Sequence, residues 1–363
     1  MEITANITGI SYSIELEQQL KSIEFNDFDI NKMPSSAILI YKESKYGISK
    51  WVSPKRTRSY PYERVYNTLK MAKKITVIPV IKDEGLAGDR DYIQWDTISM
   101  MSLLDVYVIL AYYDKATAKG NKISNQKFNN EYIKTKIEEI HQYHSSALHW
   151  NVQEMNNSFN STLQKAVDSY REIEIQTKNK LHNFSDIERF QFKICNQLSD
   201  FTNFSRLKAK QAQNREMNTT QPKEILLTVS KAKITISNYL GGLYYLTVDE
   251  MVIKDNNIFI IENKHSTRSK LPNKSDIKDG LLKMILFSNL KDVIIETTKY
   301  NCYPELLLTS SNITGSINSN SLSKDINSFF KLNTLSQSQN LLILSIFKEA
   351  LKNNFVIKLS GLS

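Results

Sequence analysis

The sequence predicts a mixed α/β protein, α+β in arrangement, and three observations carry that expectation. Near the N-terminus a β-branched run, ITVIPVI (75–81), reads as a buried strand. After residue 125, apolar residues recur at three- and four-residue steps over a long stretch. After residue 220 the pattern changes again, to short strands with one amphipathic helix.

The 363 residues allow two or three domains and a substantial core. A hydrophobic content of 41% and a charged content of 23% are those of an ordinary globular chain. No apolar run reaches the roughly 18–20 residues of a membrane span, so no membrane partner is expected. The opening MEITANITGISYSIELEQQL lacks the basic-then-apolar signature of a signal peptide. Two cysteines, Cys195 and Cys302, are neither a disulfide framework nor a metal-ligand spacing. The expected setting is therefore reducing and cytoplasmic.

In chain order, residues 1–120 form an α/β region with a strand at 75–81, loosened afterwards by Gly85 and Gly88. The stretch TISMMSLLDVYVILAYY (97–113) reads equally as a buried helix, a strand, or a helix followed by a strand. Residues 121–216 read as a long-helix segment, an arm or scaffold. One stripe runs through Ile133, Ile137, Ile140, His144, Leu148, Val152, Met155, Phe159, Leu163, Val167, Tyr170 and Ile173. Ser185 and Glu188 have the spacing of a capping box and start a second helix. Residues 217–310 hold the strands and one helix. Residues 311–363 hold the rest of a polar loop (309–325) and a closing helix in LLILSIFKEALKNNFVIKL.

The net charge of +9 is unevenly placed. Between Lys42 and Lys74, the basic residues Lys42, Lys45, Lys50, Lys55, Arg56, Arg58, Arg64, Lys70, Lys73 and Lys74 face only Glu43 and Glu63. Such an excess suggests a polyanionic partner, nucleic acid first. Within it, Lys50, Lys55, Arg56, Arg58, Tyr60 and Arg64 are the expected DNA contacts. Cations neutralise phosphates, arginine can read guanine, and aromatic rings stack.

The chemistry is expected in VDEMVIKDNNIFIIENKHS (248–266), which is oily enough for a buried hairpin yet carries acids and a lysine. A two-residue turn at Asp255 and Asn256 makes Lys254 face Asn257, Ile253 face Ile258, Met251 face Ile260 and Asp249 face Glu262. Alternation then puts Asp249, Glu262 and Lys264 on one face, and Glu250 and His265 on the other. Facing carboxylates cost a sheet up to about 1 kcal/mol. A divalent cation between them turns that cost into a binding site, and few hard oxygen ligands suit Mg²⁺.

Asp249, followed at a distance by Glu262-Asn263-Lys264, resembles the active site of the PD-(D/E)xK nuclease superfamily, which includes many type II restriction endonucleases. That resemblance covers residues 220–310 and implies a restriction-endonuclease-like mixed sheet core with flanking helices. SDIKDGLLKMILFSNL (275–290) would supply the helix after the motif, and NCYPELLLTS (301–310) the next strand. It further implies Mg²⁺ held by Asp249, Glu262 and the backbone carbonyl of Asn263, with Lys264 serving the attacking water. Glu224 is the candidate for the family's upstream helical acid. Val248 stands where the name-giving proline would be. The expected function is a Mg²⁺-dependent type II endodeoxyribonuclease acting on double-stranded DNA. A homodimer and a cognate DNA methyltransferase are expected by the same analogy. A structure-specific repair or recombination nuclease and a non-catalytic DNA-binding protein are the alternatives.

Three other features rank lower. The acids Asp83, Glu84, Asp89, Asp91 and Asp96 form a rival cluster, better read as positioning or base-reading groups than as a second centre. His141, His144 and His149 fall on the long helix without a zinc-like geometry. Lys278 and Lys283 read as solvated helix lysines with possible access to phosphate.

Overall fold

The computed structural model describes residues 2–16, 18–54, 60–187, 210, 214 and 232–361. The chain is a mixed α/β protein of two compact units. One comprises Met1–Gln19 with Lys208–Ser363, and the other is Leu20–Leu207. This division differs from the boundaries expected at 120 and 216. The first strand, β1 (Glu2–Ile7), belongs with the C-terminal half, where it pairs in parallel with a strand more than two hundred residues away. No local pattern announces such a pairing.

Within Leu20–Leu207, a sheet runs in the order β2 (Ser22–Glu24), β3 (Ser36–Tyr41), β4 (Ser44–Lys50), β5 (Lys73–Pro79) and β8 (Val106–Ala111). β5 and β8 are parallel and almost wholly buried, as continuous β-branched runs in a covered sheet should be. Helix α1 (Tyr60–Tyr66) lies between β4 and β5 in sequence. The hairpin of β6 (Ile81–Asp83) and β7 (Arg90–Tyr92) follows β5. The open reading of 97–113 resolves as helix α2 (Trp95–Leu103), then β8, with Asp105 at φ 56° turning the chain between them. A second hairpin, β9 (Tyr113–Lys119) with β10 (Lys122–Phe128), completes the strands.

The expected helical arm is α3 (Asn130–Gln142), α4 (Ala147–Gln153) and α5 (Phe159–Thr177), and it packs on β8 and β9 of this same unit. Its single stripe is broken. Tyr143 leaves the helical region, and Ser146 starts α4 by accepting the His149 N–H, so His144 falls in the break and is exposed. α4 instead buries Trp150 and Asn151, whose side chains bond the backbone of Val108. One π turn at Glu154–Ser158 shifts the phase before α5. The later helix begins at residue 184, so Ser185 is inside it, and Asn183 accepts the Ser185 N–H; Glu188 lies outside the described residues.

In the other unit, β11 (Ala232–Asn238), β12 (Leu243–Val248), β13 (Glu250–Lys254) and β14 (Asn257–Ser266) precede helix α6 (Lys274–Ser288). β15 (Lys291–Ile295) and β16 (Thr298–Ser310) follow it. The sheet order is β12-β11-β1-β15-β16-β14-β13. The segment after residue 310 is more ordered than a loop and a helix. It contains β17 (Ser316–Asn318), α7 (Ser323–Leu332), α8 (Gln337–Lys352) and β18 (Val356–Gly361). β18 lies parallel to β16 and antiparallel to β17. Phe355, Ile357 and Leu359 are buried at alternate positions, a strand period that the preceding helix pattern hid. Among the described residues, no helix is long and apolar enough to cross a membrane.

Helix α6 lies on β14 and β16. Its close approach depends on Gly280, where a Cβ would stand 2.6 Å from Leu306 Cδ1. Gly280→Val is expected to lower stability by about 1–3 kcal/mol through overpacking, measured as a lower urea midpoint at unchanged slope. Gly280→Ala should cost less, since it gains about 1 kcal/mol of helix propensity and meets only the movable end of a side chain. Equal stability of the valine variant would show that this contact does not set the helix height.

Candidate active site

The β13–β14 hairpin has the expected register. Glu250 pairs with Ile261, Met251 with Ile260, Val252 with Phe259, Ile253 with Ile258 and Lys254 with Asn257. Asp255 takes φ 55°, the left-handed conformation that an Asp in a tight turn tolerates. Asp249 occupies the bend between β12 and β13, and its carboxylate accepts the Asn263 N–H at 2.8 Å. That bond ties the bend to β14 beside Glu262. Glu250 lies on the row of Ile261 and Glu305 across the sheet. It is therefore on the other face, as is His265, whose Nδ1 meets Thr309 Oγ1 at 2.8 Å.

On the α6 face, Glu262 is 1% exposed. Its Oε1 accepts from Lys264 Nζ and from Lys283 Nζ, each at 2.8 Å. Lys264 also reaches Asp279 Oδ2 at 3.2 Å. Asp279 and Lys283 are one helical turn apart on α6, so one face of that helix delivers both. The sequence reading did not single out Asp279 and took Lys283 as solvated. Of the two lysines expected on the surface, Lys278 is buried and Lys283 is only 12% exposed, turned onto Glu262. The available signal was Asp279-Gly280-x-x-Lys283 inside an otherwise apolar helix.

These charges shift one another. Burial opposes ionisation of Glu262, but the ammoniums of Lys264 and Lys283 outweigh it and hold its carboxyl at about 2. Burial also opposes the charge on both lysines, yet Glu262 leads the groups that raise them above the ordinary range. Asp249 moves the other way. Burial, then the neighbouring charge of Glu262, pushes its carboxyl up to about 7. Three carboxylates share this cluster with two ammoniums, so a proton on Asp249 balances its formal charge.

A hard cation fits the donors present. Glu262 Oε2 is buried without a hydrogen-bond partner among the described residues, a costly arrangement unless something else is bound there. Among the described residues, no group of three or more His, Cys, Asp or Glu gathers to hold a metal. Mg²⁺, however, is commonly held by only one or two carboxylates with water and substrate oxygens.

The expected DNA contacts divide. Lys50 turns inward, donating to the carbonyls of Ile30 at 2.6 Å and Met33 at 2.7 Å. Arg64 donates to the Lys50 carbonyl at 3.0 Å. Lys73 and Lys74 likewise serve backbone carbonyls, while Lys42, Lys45 and Lys70 are exposed. Tyr60 begins α1. Lys55, Arg56, Arg58 and Glu224 lie outside the described residues. Four cations of the basic run thus have internal work, which a charge count cannot reveal. In the rival acidic loop, Asp83 is paired with Arg90 at 2.8 Å and His182 at 2.7 Å, and Glu84 with Lys82 at 2.6 Å. Asp91 accepts from Ser53. These acids hold a local fold.

The chain matches no family model, no curated protein and no solved structure.

Asp249 also sets a pH test. Its carboxyl rises from 3.8 to about 7 on folding, so its contribution to stability is full below the unfolded value and is lost as pH rises through 7. Glu262 acts oppositely, contributing above 4.5 and losing that contribution as pH falls toward 2. Asp249→Asn should therefore gain on the wild type between pH 5 and 8, by about 1–3 kcal/mol, in urea midpoints measured along that range. Parallel profiles for the two proteins would remove the strain assigned to Asp249.

Proposed function

We propose that this chain is a Mg²⁺-dependent endodeoxyribonuclease, most closely of the type II restriction kind, acting on double-stranded DNA through a restriction-endonuclease-like core. The observation that carries the reading is the convergence of Asp249, Glu262 and Lys264 on one hairpin face under a helix. The bare Oε2 of Glu262 adds to it. Asp249, Glu262 and the Asn263 carbonyl would hold the ion. When bound, Mg²⁺ supplies Lewis-acid polarisation of phosphate oxygens and makes water a better nucleophile.

The protein's own groups have distinct parts. Glu262, kept ionised by two lysines, presents a fixed negative oxygen at neutral pH. Lys264 is raised above the ordinary range and stays an ammonium. It therefore serves as a hydrogen-bond donor that orients water and offsets phosphate charge, and not as a general base. Lys283 and Asp279 keep Glu262 and Lys264 in place. Cutting two antiparallel strands is simplest for a two-fold homodimer, and a cognate methyltransferase would protect host DNA.

The test is digestion of unmethylated plasmids with Mg²⁺ or EDTA. Discrete fragments that require Mg²⁺ are expected. Asp249→Ala, Glu262→Gln and Lys264→Met should each lose about 10²–10³-fold or more in rate while still binding DNA in EDTA. Glu250→Ala, on the other face, should cut nearly as well as the wild type. Smears or junction-dependent nicks would move the assignment to a repair or recombination nuclease. Absence of cutting on several DNAs, with salt-sensitive binding intact, would make it a binding protein whose buried acids are structural.

A further inference from the structure

Leu20–Leu207 contains a cleft of about 580 Å³ whose lining includes Lys50, Lys82, Lys119, Lys122 and Lys127 against a single acid, Glu84. Glu84 is already paired with Lys82 at 2.6 Å. Among the described residues, the ammoniums of Lys119, Lys122 and Lys127 have no ion pair or hydrogen bond. The positive lining is built by the β9–β10 hairpin. Its register slips between Ser124 and Lys127 and again before Phe128, and Asn125 takes φ 49°. Such a bulge redirects side chains, and here it accompanies Lys127 and Lys50 lining the same cleft.

The hairpin is braced for this shape. Gln126 donates to the Asp83 carbonyl at 2.6 Å and accepts from the buried Tyr170 hydroxyl at 2.7 Å. Asn31 both donates to and accepts from the Phe128 backbone. Tyr113 and Phe128 stack beneath at 4.3 Å. The amides are thus spent on holding the strand, and the lysines remain for a ligand. Burial first, and then the nearby charges of Arg64 and Lys127, depress the Lys50 ammonium to about 8. A bound anion would relieve that repulsion.

We propose that this cleft binds the phosphodiester backbone of a polynucleotide, with Lys119, Lys122 and Lys127 as its phosphate contacts. Lys122 and Lys127 are five positions apart, roughly 15 Å along β10, and Lys119 pairs across the hairpin with Lys122, a spread of ammoniums that suits successive phosphates of one chain. The proposal deepens the nuclease reading, resting on it for the identity of the polymer, but it uses other residues and is tested without cleavage.

The test is fluorescence anisotropy of the full chain with a labelled DNA duplex in EDTA, across a salt series. The variants are Lys119→Ala/Lys122→Ala/Lys127→Ala and a control that removes the same charge from exposed positions, Lys42→Ala/Lys45→Ala/Lys70→Ala. Thermal melts first establish that both are folded. The cleft variant should bind about tenfold or more weakly, with a log–log salt slope smaller by about 2–3. The control should lose less on both counts. Equal losses in the two variants would overturn the proposal, because only net charge would then matter. Displacement of the duplex by inorganic phosphate or a mononucleotide at matched ionic strength would also overturn it, making the cleft a site for small phosphates. A selective loss in the cleft variant, beside a wild type that never cuts DNA in Mg²⁺, would uphold the cleft and remove the nuclease reading.

Discussion

The buried carboxylate of Glu262 constrains everything near it. An ionised acid that is 1% exposed is stable only if opposite charge is brought to it. Lys264, two residues along β14, supplies one ammonium. The second, from Lys283, requires α6 to lie close over the same strand. The missing side chain of Gly280 lets the helix approach Leu306 that closely. Helix height, strand register and ion pairing are therefore one coupled arrangement.

That arrangement is not what stability alone favours. Replacing a buried ion cluster by apolar residues of similar volume is often neutral or stabilising by about 1–4 kcal/mol. Here the neighbouring strand and helix positions are already apolar: Ile260, Leu306, Leu308 and Leu282 are all fully buried. The core chemistry to fill this space without charge was at hand. The charges also leave Asp249 with a carboxyl at about 7, so the hairpin bears an acid whose ionisation its surroundings oppose. A functional role accounts for both costs.

The hairpin was legible because two independent local rules agree on it. Asp255-Asn256 suits a tight turn, and the flanking residues alternate with period two, so one register satisfies both. Asp249 and Glu262 followed from that register without any knowledge of the helix. Asp279 and Lys283 did not, because their importance is tertiary: a lysine on an amphipathic helix looks the same whether it meets water or a buried glutamate. The pairing of β1 with β11 was illegible for a similar reason, since hydrophobic alternation in Ile3, Ala5 and Ile7 marks a strand but not its partner. The basic run misled in the opposite direction. Its charge count is correct, but Lys50, Arg64, Lys73 and Lys74 are turned onto backbone carbonyls.

The two oxygens of Glu262 are treated unequally, and that asymmetry is the most informative feature of the site. Oε1 accepts two ammoniums, while Oε2 is buried with no partner among the described residues. A carboxylate kept only to close an ion network gains from sharing its donors between both oxygens, because an unsatisfied buried acceptor costs about 1–3 kcal/mol. Concentrating both lysines on one oxygen keeps the charge in place and orients the carboxylate, while leaving the second oxygen's lone pairs uncommitted. A charged oxygen held rigidly and left unsatisfied is what a hard cation requires, and hydrogen bonding within the described residues offers no other use for it.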